Sequence, residues 1–211
     1  MKMNLRELVD TVRDEGYSQA NAEARVCQDI VLKAIDESAF SNHITVKGGV
    51  VMRSITGDTR RATQDMDLDF IRYSLRDDSI RNFISRLNCL DGVMIQITGE
   101  IEELSQQEYH GKRVYIIITD ETGYSLRSKI DLGVHKQVQI EQDEYCFDVC
   151  MDDEGASLLS NCPATQYHDR RGRFSDRLAS EQESDKDDSV PQEATRFFLS
   201  SPVLFPSLPC M

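Results

Sequence analysis

The sequence predicts an α+β fold: a mixed β-sheet flanked by helices, followed by an irregular carboxy-terminal tail. Three observations carry this reading. Apolar residues recur at helical spacing early in the chain, the period changes to two between residues 93 and 150, and beyond about residue 160 periodicity is lost.

In chain order, residues 4 to 16 place Leu5, Leu8, Val9 and Val12 at helical spacing, and the next segment does the same with Val26, Cys27, Ile30, Val31, Ala34 and Ile35. HITV then reads as a short strand and VVMRSI as a short helix, with Lys47-Gly48-Gly49 at that helix's amino terminus. After the acidic segment DMDLDF, a further helix is expected to bury Ile80, Phe83, Ile84 and Leu87, capped by Asp77 or Asp78. The period-two segments are VMIQITGEIEEL, RVYIIIT, SLRSKIDLGVH and EYCFDVC. Turn chemistry in Thr119-Asp120-Glu121-Thr122-Gly123 predicts an antiparallel hairpin between the middle two.

All five prolines fall from Pro163 onward, in a stretch with almost no apolar periodicity. The expected organisation is a domain over residues 1–160 and a divergent, poorly ordered tail over 161–211.

The 37 acidic against 24 basic residues argue against a protein that coats nucleic acid nonspecifically. Arg53, Arg60, Arg61, Arg72 and Arg76 nevertheless flank the aspartates, which suits a small anionic substrate. The amino terminus turns charged before a secretory apolar core can form and no long apolar run follows, so the expectation is a soluble, cytoplasmic protein without a membrane partner. Its six cysteines lack the spacing of a disulfide framework or a zinc knuckle. Cys146 and Cys150 read as thiols on one face of a strand.

The chemistry concentrates in DMDLDF. In a strand, Asp65, Asp67 and Asp69 share one face while Met66, Leu68 and Phe70 anchor the other. Two carboxylates about 4 Å apart repel by roughly 1 kcal/mol in water and about 4 kcal/mol at an effective dielectric of 20. A divalent cation such as Mg²⁺ reverses that sign. An EF-hand reading fails, because Phe70 stands where the loop needs glycine and Arg76 where it needs glutamate. Upstream, glycines at a helix amino terminus let phosphate approach exposed N–H groups. Diglycine, basic connector and Asp-x-Asp together describe a phosphate cradle facing a metal site.

This combination resembles the nucleotidyltransferase superfamily, and VKGGVVMRSITGDTRRATQDMDLDF is similar to the AbiEii/AbiGii-type toxin family of abortive-infection systems, in which KGG, an Arg in the following helix and R-x-T-x-D-x-D recur. The resemblance implies a nucleotidyltransferase-like sheet with Asp65 and Asp67 as metal ligands and catalytic residues, and Asp69 as an accessory or surface carboxylate. Asp131 in SKIDLGVH is the matching third carboxylate, the alternative being an ordinary strand aspartate. Gly48 and Gly49 would seat the nucleotide's triphosphate through their amides, with Lys47 and Arg53 as electrostatic helpers; helix packing for Arg53 and a strand-end surface position for Lys47 are the alternatives. His135 lies near enough in sequence to approach the site but is not assigned to it.

The same resemblance implies Mg²⁺, as one or two ions, a nucleoside triphosphate as substrate, an RNA such as a tRNA end or a protein side chain as acceptor, and a winged-helix antitoxin as partner. It also implies a helical half carrying Glu-Lys-Leu and Arg-x-Lys-Asp, expected to begin near ASLLSNCPATQ. Neither motif follows in a helical context, which suggests a divergent or frame-shifted tail and, as an alternative function, a catalytically impaired nucleotide-binding or partner-binding remnant.

Overall fold

A computed structural model describes residues 3–57, 59, 62–104, 111–134 and 143–160. The expected tail at 161–211, together with Arg60, Arg61, His135, Cys162 and Cys210, lies outside the described residues.

Helix α1 (Leu5–Asp14) starts at Asn4, whose side chain accepts hydrogen bonds from the Arg6 and Glu7 amides. It buries Leu5, Val9 and Val12, with Leu8 packed at the edge of the core. Helix α2 (Gln19–Glu37) is capped by Ser18 and is enclosed along most of its length: Val26, Cys27, Ile30, Val31, Ala34 and Ile35 are all buried. A single 3₁₀ turn, Ser41–His43, leads into strand β1 (Ile44–Lys47). Helix α3 (Gly49–Thr56) follows and ends at Gly57, whose left-handed backbone sends its N–H to the Arg53 carbonyl. Strand β2 (Met66–Phe70) carries Asp67 and Asp69, while Asp65, expected on the same strand face, lies just before the strand. Helix α4 (Asp77–Arg86) buries Ile80, Phe83 and Ile84, with Leu87 buried just beyond its end.

The remaining strands are β3 (Val93–Ile97), β4 (Glu102–Leu104), β5 (Gly111–Asp120), β6 (Ser125–Val134), β7 (Asp143–Phe147) and β8 (Ala156–Ser160). They form one eight-stranded mixed sheet in the order β3-β5-β6-β2-β1-β8-β7, with β4 also pairing β5. The β5–β6 hairpin is antiparallel, while β2 runs parallel to β6 and β1 parallel to β8.

One face of the sheet, carrying Val46, Met66, Leu68, Phe70, Val114, Ile116, Ile130 and Leu132, merges with the helices into a single apolar core. Phe70 anchors β2 there, meeting Tyr73 and Phe83 edge-on at 5.0 and 5.2 Å between ring centroids. Such pairs contribute about 0.5–1.5 kcal/mol beyond their buried area. By strand alternation, the opposite face carries Lys47, Asp67, Asp69, Arg113, Lys129 and Asp131. Among the described residues, no helix is long and apolar enough to cross a membrane.

Four expectations are corrected. The residue before α4 is Arg76, with no side-chain cap; Asp77 and Asp78 instead occupy the first turn, where their charge complements the helix dipole. VMIQITGEIEEL is two strands, both using β5 as partner. Strand β7 stops at Phe147, so Cys146 is exposed on it while Cys150 lies in the following turn, and the two thiols do not share a strand face. Finally, Ala156–Ser160, where a helical half was expected to begin, is strand β8, inserted between β1 and β7.

Candidate active site

The site is assembled by register. On three adjoining strand pairs, Lys47 lies opposite Asp67, Asp67 opposite Asp131, and Asp131 opposite Arg113. Residues directly paired across a sheet project to the same side. Four charged side chains therefore stand in one row across β1, β2, β6 and β5. The hairpin turn sets half of this row: with Thr119 opposite Ser125, Arg113 must meet Asp131.

Asp67 lies at the centre. Its carboxylate rests against Gly48, where a Cβ would overlap the Asp67 Oδ2 oxygen. Gly48 also has φ of 72°, a conformation that side-chain-bearing residues rarely adopt. Two independent requirements thus fix glycine at the position preceding α3, and they bring the first carboxylate to that helix's amino terminus. Burial first, and then the charges of Asp131, Asp65 and Asp69, push the Asp67 carboxyl above the ordinary aspartate range, against the opposing pull of Lys47.

The other carboxylates each have a cation. Asp131 receives two hydrogen bonds of 2.7 Å from Arg113, one from Nε and one from Nη2. Lys129 Nζ is 2.7 Å from Asp65 Oδ1, and Lys47 Nζ is 2.7 Å from Asp69 Oδ1. Asp69, read from sequence as an accessory or surface carboxylate, is only 9% exposed, and its carboxylate fills the space that a Cβ on Gly133 would need. The surface alternative is therefore overturned by its burial. Lys47 is half-buried and committed to this pair.

Hard carboxylate oxygens at Asp65, Asp67 and Asp131 are the donor set that suits Mg²⁺. Their placement is less complete than their chemistry: among the described residues no group of three His, Cys, Asp or Glu side chains is gathered as a metal cluster. Asp65 and Asp131 are turned onto Lys129 and Arg113. The donors fit the ion in kind, and two of them would have to be shared with or released by a neighbouring cation.

Arg53 lies apart from this row. It is 5% exposed, and its Nη2 donates to Asp29 Oδ1 at 2.9 Å, between α3 and α2. Asp29 is fully buried and also accepts from Arg25 Nε at 3.3 Å and from the Cys150 amide at 3.1 Å. A buried carboxylate requires such partners. This position is compatible with the helix-packing alternative for Arg53; its Nη2 is engaged at Asp29, while its Nη1 is buried without a hydrogen-bond partner.

Sequence reasoning missed several participants. Lys129 and Gly133 share Asp131's face by simple alternation, and Arg113 follows from the hairpin register. Gln28 carries no sequence signal of its own: it reaches from α2 to the Thr63 carbonyl at 2.9 Å and the Asp65 carbonyl at 3.4 Å.

A sheet with one helix-covered face, a glycine-led helix after β1 and aspartates on β2 and β6 defines the class as nucleotidyltransferase-like. Residues 30–160 match the family described as the nucleotidyl transferase AbiEii toxin of type IV toxin-antitoxin systems. The chain belongs to that family. A comparison with curated proteins gave no match.

Proposed function

We propose that this chain transfers a nucleotide from a nucleoside triphosphate to an RNA acceptor such as a tRNA end, or to a protein side chain, with Mg²⁺. The observation that carries the reading is the contact of the Asp67 carboxylate with Gly48, in register with Asp131, at the amino terminus of α3. Asp65, Asp67 and Asp131 would hold the ion. When bound, it supplies charge neutralisation for the triphosphate and for the oxygens of the displacement.

The chain's own residues bind and orient. The amides at Gly48 and Gly49, at the start of α3, would seat a phosphate, and glycine at 48 keeps side-chain atoms out of the space beside Asp67. Lys47 adds positive charge next to the central carboxylate. Asp131, held by Arg113, would complete the site or take the proton of an acceptor hydroxyl. The toxin family implies an antitoxin partner, proposed to be of winged-helix type; the setting is proposed to be cytoplasmic.

Incubation with labelled nucleoside triphosphates, Mg²⁺ and total tRNA tests this. Wild type is expected to label an acceptor and Asp67→Ala to label none; equal labelling by both rejects the assignment. The engagement of Asp65 by Lys129 and of Asp131 by Arg113 favours a second reading, a catalytically impaired nucleotide-binding or partner-binding remnant. Thermal stabilisation by nucleotide and Mg²⁺ without any transfer identifies that case.

A further inference from the structure

Gly49 poses a problem that phosphate binding alone does not answer. Unlike Gly48, it is not among the positive-φ glycines, and as the first residue of α3 it has a helical backbone that alanine would adopt with better propensity. The space beside it is already filled: a Cβ there would lie 2.7 Å from Thr63 Cβ and 2.8 Å from both Thr63 Cγ2 and Oγ1. Gly49 is thus the seat of Thr63.

From that seat Thr63 holds the entrance to β2. Its Oγ1 accepts from the Asp65 amide at 3.3 Å and stands 3.3 Å from the Asp65 carbonyl oxygen, to which it can donate. Gln28, 1% exposed on α2, grips the same two residues from the other side, donating from Nε2 to the Thr63 and Asp65 carbonyls. Its Oε1 is buried without a hydrogen-bond partner. An unmet buried acceptor is destabilising. For packing alone a leucine of similar size would serve better, so the amide is retained for what its N–H groups hold. A flipped amide would set oxygen against two carbonyls, which fixes the assignment.

We propose that Gln28, Thr63 and Gly49 form a positioning clamp that sets Asp65 relative to Asp67 and the amino terminus of α3. None of the clamp side chains need touch substrate. They define both backbone groups of Asp65 against the buried helix α2, and so the place from which its carboxylate acts. The inference rests on the reading of Asp65 and Asp67 as metal ligands given above.

The test is Mg²⁺ binding by calorimetry without nucleotide, paired with thermal melting, on the full chain. Gln28→Leu and Thr63→Val remove the hydrogen bonds with little change of volume; Gly49→Ala displaces Thr63. Cys27→Ala, a buried core substitution on the same helix, is the control for lost stability. All three clamp variants are expected to weaken Mg²⁺ binding by about tenfold or more, as outer partners of metal ligands do, while Cys27→Ala lowers the melting temperature and leaves affinity unchanged. If the clamp variants melt lower but bind Mg²⁺ like wild type, the clamp is structural only and the proposal fails. Should Gln28→Leu not fold, Thr63→Val decides. Wild type that binds no Mg²⁺, or binds it equally as Asp67→Ala, overturns the metal-site reading itself and the clamp with it.

Discussion

Asp67 and Asp131 stand directly opposite each other on parallel strands β2 and β6, two carboxylates paired in register on the same side of the sheet. Their repulsion, added to burial, is what lifts the Asp67 carboxyl. The arrangement opposes folding.

Removing the central charge should therefore stabilise the fold. Asp67→Asn is expected to gain on the order of 1 kcal/mol in denaturant unfolding at neutral pH, within the range of single stabilising substitutions, while losing nucleotide transfer. The sign follows from the raised carboxyl: its ionised form is held less well in the folded chain, so the penalty grows as pH rises past the unfolded aspartate value. The gain from Asn should shrink in acid.

Arg113 sits on Asp131 with both bonds at 2.7 Å. Arg113→Gln leaves Asp131 facing Asp67 without its guanidinium. Melting in a chelator is expected to fall, and the rise produced by adding Mg²⁺ is expected to exceed that of wild type, because the ion no longer competes with an arginine. A titration of melting temperature against Mg²⁺ for both proteins checks this; an equal or smaller rise in the variant contradicts it.

The buried Asp29–Arg53 pair is predicted to act on stability. Breaking one partner of a buried, hydrogen-bonded ion pair costs about 3–5 kcal/mol. Arg53→Met should lose an amount of that order in urea unfolding, with nucleotide affinity per folded molecule little changed. A large affinity loss in folded Arg53→Met would instead place the guanidinium at the triphosphate.

Asp120 joins the hairpin turn to α1. It accepts from the Leu5 amide at 3.1 Å, from the Thr122 amide and hydroxyl at 2.9 and 2.6 Å, and from the Tyr124 amide at 3.0 Å. Burial alone pushes its carboxyl upward, but these hydrogen bonds outweigh it and hold the group below the ordinary value. A depressed carboxyl contributes stability that is present above the unfolded value and is lost as pH falls through the folded one. Asp120→Asn should thus be destabilised at pH 7 and show a shallower loss of stability than wild type below about pH 4. Urea unfolding at stepped pH measures both.

Much of this was legible from local pattern. The alternation in DMDLDF put Asp67 and Asp69 on one face and Met66, Leu68 and Phe70 in the core, because a strand's side chains alternate whatever the strand pairs with. Helices α1, α2 and α4 were written in the same way, by apolar spacing. The turn after Asp120 set the β5–β6 register and, through it, which cation meets Asp131.

Tertiary structure decided the rest. No pattern within β2 or β6 says that they lie parallel and in step, yet that pairing places Asp67 against Asp131 across more than sixty residues of chain. Arg53 reads from sequence either as a cation beside a phosphate loop or as a helix-packing residue; it points to Asp29, where a charge buried on α2 needs a counterion. Gln28, silent in the sequence, gains its place only when α2 is packed beneath the connector. Periodicity is a property of the backbone a few residues at a time, whereas the neighbour a side chain meets is fixed by packing between distant segments.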